Sequence, residues 1–316
     1  MRTIIIADHS QCQLSPLTER IPHPLLPLVG KPILMHALEV LHRSSIREVE
    51  VVSPELHEQL DLGIDTGSLM GMTVRFVPVV PDLQHSTYHS LIVGLSDIVD
   101  TDWNDILDEL GDLDVHTLIP IRMMVHAVPV AMLVPPHFGR DESNWSRLGS
   151  RYRHGDFSNK ISCDWNEIHR TEAIHLPIGP RHLISTSTFK DYYRANFDLL
   201  RGKFKYLKSA GREYLPGHLT APKAYFYENS IQSKHGYFGS HCHIDKSARL
   251  YGDVIIGDNA VVDKGARISD SIICDNTYIG SNIDCSKTIV NGNLMVRVDT
   301  GVCLEIDDPV LFGAIN

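Results

Sequence analysis

Ile244, Leu250, Ile256, Val262 and Ile268 each stand six residues from the next, with Gly257, Gly265 and small or polar residues between them. A hexapeptide period of this kind is the signature of a parallel β-helix, in which each six-residue side contributes one inward aliphatic residue to a stacked core. Ile273 and Ile279 resume the period after losing one residue, which predicts an irregular corner rather than an end. Chance alternation in an antiparallel sheet is the competing explanation, and five in-phase aliphatics make it the weaker one. The count gives about three coils after Tyr225.

The residues before Tyr225 have a different texture. Arg2 to Ala7 is an isoleucine-rich strand followed by a polar loop, and Pro32 opens a helix whose Ile33, Leu34, Ala37, Leu38 and Leu41 recur at helical spacing. Val49 to Val52, Val74 to Val80 and Val128 to Val134 are further β-rich runs, and Tyr88, Leu91, Ile92, Leu95 and Ile98 suggest a helical stripe between them. Alternation of this kind predicts an α/β domain with a mainly parallel sheet covered by helices. The stretch from Gly139 to Gly179 has Trp145, Trp165 and several arginines but little periodicity.

The chain of 316 residues carries 29 Lys and Arg against 39 Asp and Glu, a net charge of -10. No surplus of cations exists to track nucleic acid or an anionic membrane. The apolar runs Ile4 to Ala7 and Val128 to Val134 fall far short of the roughly 20 residues of a membrane span, and no basic-then-apolar leader opens the sequence, so a cytoplasmic protein is expected. Six cysteines (Cys12, Cys163, Cys242, Cys274, Cys285, Cys303) show no paired spacing, so free thiols are expected. His241, Cys242 and His243 are a poor metal site, because neighbours on an extended segment face opposite ways.

The run Arg2 to Leu34, RTIIIADHSQCQLSPLTERIPHPLLPLVGKPIL, resembles the opening of the sugar nucleotidyltransferases. The likeness is carried by Leu14, Pro16, Leu17, Thr18, Pro22, Pro24, Leu25, Leu26, Pro27, Gly30, Lys31 and Pro32. Asp108, Asp112 and Asp114 before Leu118 resemble the family's acidic segment, and Tyr192, Ala195 and Asn196 with Leu199 and Leu200 resemble a helix near the end of its catalytic domain. The resemblance implies a Rossmann-like nucleotidyltransferase domain over residues 1–230 and a hexapeptide left-handed β-helix with a C-terminal tail over residues 231–316. It also implies that a sugar 1-phosphate attacks the α-phosphorus of a nucleoside triphosphate and expels pyrophosphate, with positioning and charge neutralisation supplying the catalysis. The family's devices are a glycine-rich loop with an arginine, a lysine before the PLLP run, and two aspartates that hold Mg2+.

Most of these devices are replaced. Asp8, His9, Ser10 and Gln11 occupy the phosphate loop, and Cys12 and Gln13 follow where threonine and arginine would stand. A carboxylate near a triphosphate opposes binding by about 1 to 4 kcal/mol per charge pair. His23 holds the lysine position without its permanent charge. Asp108 is the best counterpart of the first metal aspartate, with Asp112 as another register, and Ser185 stands for the second. Ser86 and Thr87 are candidates to lie near a nucleotide base, whereas Lys31 belongs to a structural turn.

A sugar-nucleotidyltransferase-like protein that has lost ordinary catalysis, and that serves as a binding, regulatory or scaffold component, is therefore expected. A nucleotide or NDP-sugar is its expected ligand, and Mg2+ its cofactor only if it is active. An active enzyme with a diverged site would rely on His23, Asp108 and arginines such as Arg20, Arg122 or Arg181. Acyl transfer is a third reading, with His235, His241 or His243 as base, and a short β-helix suits it poorly. Val302 to Asn316, with Leu304, Ile306, Val310, Leu311 and Phe312, is apolar enough to cover the open end of the stack or to pack on a neighbour, so a homo-oligomer is expected.

Overall fold

The computed structural model describes residues 1–7, 12–53, 60, 64, 71–81, 86–95, 97–111, 121–125, 128–136, 173–178 and 182–315. Asp8, His9, Ser10, Gln11, Asp112, Asp114, Leu118, Arg181 and nearly all of residues 139–179 lie outside them. The chain divides into two compact units, Met1–Gln11 with Leu34–Ile184, and Cys12–Ile33 with Ser185–Asn316.

The first unit is built on a seven-stranded sheet in the order Ile174–Pro177, Ile121–Val125, Val128–Val134, Ser90–Gly94, Arg2–Ile6, Glu48–Val52, Thr73–Val77. Neighbours are parallel except that Val128–Val134 runs antiparallel to both of its partners. Ile4, Ile6, Val52, Ile92, Met132 and Val134 form one buried cluster on this sheet. The helix Ile33–Arg43 follows Pro32, which pairs with Pro27 in a short ribbon and so stands just outside the helix rather than at its first position.

The helical stripe expected over Tyr88 to Ile98 is instead two strands, Ser90–Gly94 and Asp97–Asp100. Ser90–Gly94 is buried along its whole length and paired on both edges. A strand covered on both faces loses its alternation, and a short apolar run then matches helical spacing by accident.

In the second unit the hexad positions Ile244, Leu250, Ile256, Val262, Ile268, Ile273 and Ile279 are all fully buried. Ile244 pairs in parallel with Val262 and Val262 with Ile279. Leu250 pairs with Ile268 and Ile268 with Cys285, while Phe238, Ile256, Ile273 and Val290 form a third row. These three rows of stacked aliphatics are compatible with a parallel β-helix. The lost residue is located at one corner: Tyr251 pairs with Ser269 and Val254 with Ser271, so Gly252 and Asp253 face Asp270 alone. Gly252 has φ +64°, and a Cβ there would overlap the Asp270 carboxylate.

Side chains of one coil satisfy the backbone of the previous one. Asp258 accepts from Ser240 N at 2.7 Å and Asp275 from Asp258 N at 2.7 Å. Burial pushes the Asp275 carboxyl up to about 6, aided by the charge of Asp258 and opposed by the Asp258 N–H. Native Asp275 therefore holds its proton more tightly than the unfolded chain does, and the stability this contributes below about pH 4 is lost as pH rises toward 6. Asp275→Asn keeps an acceptor for Asp258 N and should gain about 2 kcal/mol on the parent between pH 4 and pH 7. Denaturant melts at both pH values check this, and a pH-independent difference would contradict it.

The tail ends the stack with antiparallel strands. Phe312–Ala314 pairs with Thr277–Ile279 and buries Phe312, while Leu294–Arg297 and Cys303–Glu305 extend the neighbouring sheet. Val302, Leu304, Val310 and Leu311 remain exposed.

Candidate functional site

The proline-rich segment Cys12–Ile33 is held by the helix Phe189–Leu200 and by the residues leading into it. That helix starts at Thr188, whose Oγ1 accepts from Asp191 N at 3.2 Å and donates to the Asp191 carboxylate at 2.6 Å. Gln13 N donates to Ser187 O at 2.7 Å. One turn into the helix, the Tyr192 hydroxyl donates to Pro27 O at 2.6 Å. Burial raises that hydroxyl far above its ordinary pKa, so it remains a donor. Asn196, fully buried, accepts from Val29 N at 3.0 Å through Oδ1 and donates from Nδ2 to Tyr192 O at 3.0 Å. Tyr192 and Asn196, two residues that carry the resemblance, thus fix the turn at Val29 and Gly30.

Asn196→Ala orphans a buried N–H and opens a small cavity, so it should cost about 2 to 3 kcal/mol of stability. Chemical denaturation monitored by tryptophan fluorescence measures it, and a loss below about 0.5 kcal/mol would contradict the assignment.

His23 lies in the short 3-10 turn His23–Leu25 and is fully buried. Its Nε2 is 2.8 Å from Thr186 Oγ1. Ser185 is half-buried and donates to Ser187 Oγ at 3.4 Å. Cys12 is half-buried and Gln13 exposed. The second unit therefore brings Gln13, His23 and Ser185 against one short run, Thr186 to Thr188. Thr186 and Ser187 were not legible as partners, because they meet His23 and Gln13 only through chain folding.

In the first unit Asp108 is exposed on the helix Trp103–Gly111, whose start is capped by Asp102 Oδ1 accepting from Asn104 N at 2.9 Å. Thr87 is exposed, and Ser86 is turned onto its own loop, donating to Tyr88 O at 2.7 Å. Asp108, Ser86 and Thr87 belong to a different compact unit from His23 and Ser185.

Two of the arginines considered as replacement cations, Arg20 and Arg122, are engaged by other groups, and Arg181 lies outside the described residues. Arg20 donates to Asn291 O at 3.0 Å and Asn293 Oδ1 at 2.8 Å, and pairs with Glu305 at 2.8 Å. Arg122 is buried, donates to His175 Nε2 at 2.9 Å, and has its pKa lowered by that burial. Cys242 is fully buried with its thiol pushed up to about 12 by burial, whereas His241 and His243 are exposed, so the trio does not converge. His235 donates from Nδ1 to buried Asp253 at 2.8 Å.

Among the described residues no group of three or more His, Cys, Asp and Glu could hold a metal ion. The resemblance puts Ser185, a neutral hydroxyl, where the family has its second aspartate, and with that alignment the described donors do not fit a two-carboxylate magnesium site. No helix is long and apolar enough to cross a membrane, and none of the described cysteines forms a disulfide.

Residues 2–102 match the family model described as nucleotidyl transferase. The chain is 20% identical to a UTP–glucose-1-phosphate uridylyltransferase of Synechocystis sp., in an alignment covering 98% of this chain and 92% of that protein. It is 26% identical to a glucose-1-phosphate thymidylyltransferase of Streptomyces griseus over 78 residues, 25% of this chain and 22% of that protein.

Proposed function

We propose that the chain, whose residues 2–102 match the nucleotidyl transferase family model, is a sugar-nucleotidyltransferase-like cytoplasmic protein that no longer runs the family's ordinary reaction. In this reading it binds a nucleotide or NDP-sugar as a regulatory or scaffold component of polysaccharide or nucleotide-sugar metabolism.

The observation that carries the reading is His23. Transfer of a nucleotidyl group builds negative charge on the departing pyrophosphate, and a positioned cation facing that charge is what lowers the barrier. At the lysine position this chain has an imidazole sealed from solvent and engaged with Thr186. An imidazole, unlike a lysine ammonium, carries no permanent charge, so His23 is a poor substitute for lysine. Ser185 and the Asp8-containing loop point the same way, the first removing a metal ligand and the second adding a charge that repels phosphate.

The two named relatives set the substrates to try, uridine and thymidine triphosphates with glucose 1-phosphate. Pyrophosphate release with magnesium present should stay at the no-enzyme background for both pairs. Turnover at an ordinary enzymatic rate, on the order of 1 per second or more, abolished by His23→Ala or Asp108→Asn in a folded variant, would overturn the proposal in favour of an active enzyme with a diverged site.

The exposed Val302, Leu304, Val310 and Leu311 beside the buried Phe312 favour self-association through the tail. Light scattering should return a mass above the 35.4 kDa of one chain, and a monomer at working concentration would remove this part of the reading.

A further inference from the structure

The strands that open the parallel stack carry a hydrogen-bond relay that the nucleotidyltransferase reading does not use. The hairpin Arg212–Leu215 and His218–Thr220 turns through Pro216 and Gly217, and His218–Thr220 runs parallel to the end of the strand Ile231–Phe238. His218 Nδ1 lies 3.1 Å from Pro216 O, and its Nε2 lies 3.1 Å from Ser233 Oγ. A carbonyl can only accept, so Nδ1 carries the proton and, in the neutral ring, Nε2 presents its lone pair to the Ser233 hydroxyl. The imidazole is stacked on Phe238, with planes 3° apart and centroids 6.2 Å apart, which fixes its orientation. His218 is buried whereas Ser233 is only half-buried, so the base is shielded and the hydroxyl is reachable.

The ladder is irregular at this place. Ser233 faces Gly252 and His235 faces Asp253, leaving Lys234 as an extra residue. Such bulges re-aim the side chains beside them. On the far side of the bulge His235 is tied to Asp253, which is also held by Arg201 at 2.5 Å. That ion pair anchors the strand without consuming Ser233.

We propose that Ser233 is a nucleophilic hydroxyl activated by His218, a site for covalent capture of acyl groups from activated esters. Ser233 Oγ attacks the ester carbonyl carbon, a new C–O bond forms, and the hydroxyl proton passes to His218 Nε2. The bond to the leaving alkoxide then breaks, and the alkoxide takes that proton. The orientation of the ring by a backbone carbonyl replaces the third member of a nucleophile, base and orienter set.

The probe is a biotin-tagged fluorophosphonate, whose phosphorus takes the serine oxygen as fluoride leaves. Incubation of the full-length protein followed by peptide mass spectrometry should find the label on the peptide containing Ser233. Ser233→Ala should lose it, and His218→Gln should slow it at least about tenfold. Absence of label on Ser233 in the folded protein, or an unchanged rate in folded His218→Gln, would overturn the proposal. Should His218→Gln fail to fold, labelling of the unaltered protein decides: label on Ser233 that Ser233→Ala loses supports the proposal, and its absence overturns it.

Discussion

Replacing Gly30 by alanine is expected to destabilise the protein by about 3 to 5 kcal/mol, enough to unfold much of it at ordinary temperature. Two causes act together. Gly30 has φ +79°, a left-handed conformation that costs an L-residue about 1 to 2 kcal/mol. A Cβ at this position would also overlap the hydroxyl and ring of Tyr237, which is itself fully buried. The turn cannot shift to make room, because Val29 N is bonded to Asn196 and Val29 O accepts from Ala210 N at 3.1 Å. Thermal melting checks the size of the effect. Adding Tyr237→Leu should recover part of the loss by removing the overlap, and no recovery would place the cost in the backbone alone.

Deleting residues 231–316 is expected to abolish folding of Cys12–Ile33 as well as of the stack. Residue 230 falls inside the second compact unit, and the segment on its N-terminal side leans on partners beyond it. Gly30 packs against Tyr237, and Arg20 reaches Asn291, Asn293 and Glu305. Tyr193 donates to Asp270 O at 2.6 Å, and Arg201 Nε donates to Asp253 at 2.7 Å. Removing all four sets strips the helix Phe189–Leu200 and the proline-rich segment of the buried partners Tyr237, Asp253 and Asn291 and of exposed contacts to Asn293 and Glu305, and unpaired buried polar groups cost about 1 to 3 kcal/mol each. Hydrogen exchange at the Val29 and Tyr192 amides reads the outcome directly. A soluble 1–230 fragment with protection at Val29 like that of the full chain would contradict the expectation.

The parts of the fold governed by a period were legible. The hexads were visible as a spacing of aliphatic residues, and the positions from Ile244 to Ile279 are all buried. The proline-rich segment was recognisable because its prolines and Gly30 answer local backbone requirements. Ser90–Gly94 misled because a strand buried on both faces has no alternation to display. The clamp was not legible: Asn196 meets Val29 and His23 meets Thr186 across more than 160 positions, and no local pattern encodes such a meeting. Arg20 illustrates the same limit from the other side. As a residue type it suits phosphate, yet its geometry spends it on Asn291, Asn293 and Glu305. The charge and hydrogen-bonding capacity that the proposal uses at Asp8, His23 and Ser185 are properties of the residue types themselves and need no coordinates.

The central claim is that the altered loop, His23 and Ser185 have ended ordinary magnesium-dependent handling of a nucleoside triphosphate. Calorimetric titration of UTP and dTTP into the protein, with and without magnesium, tests it most directly, with UDP-glucose titrated in parallel. The account predicts no saturable heat from either triphosphate that depends on magnesium, whatever the NDP-sugar does. Saturable, magnesium-dependent binding of a triphosphate would contradict it and restore the enzyme.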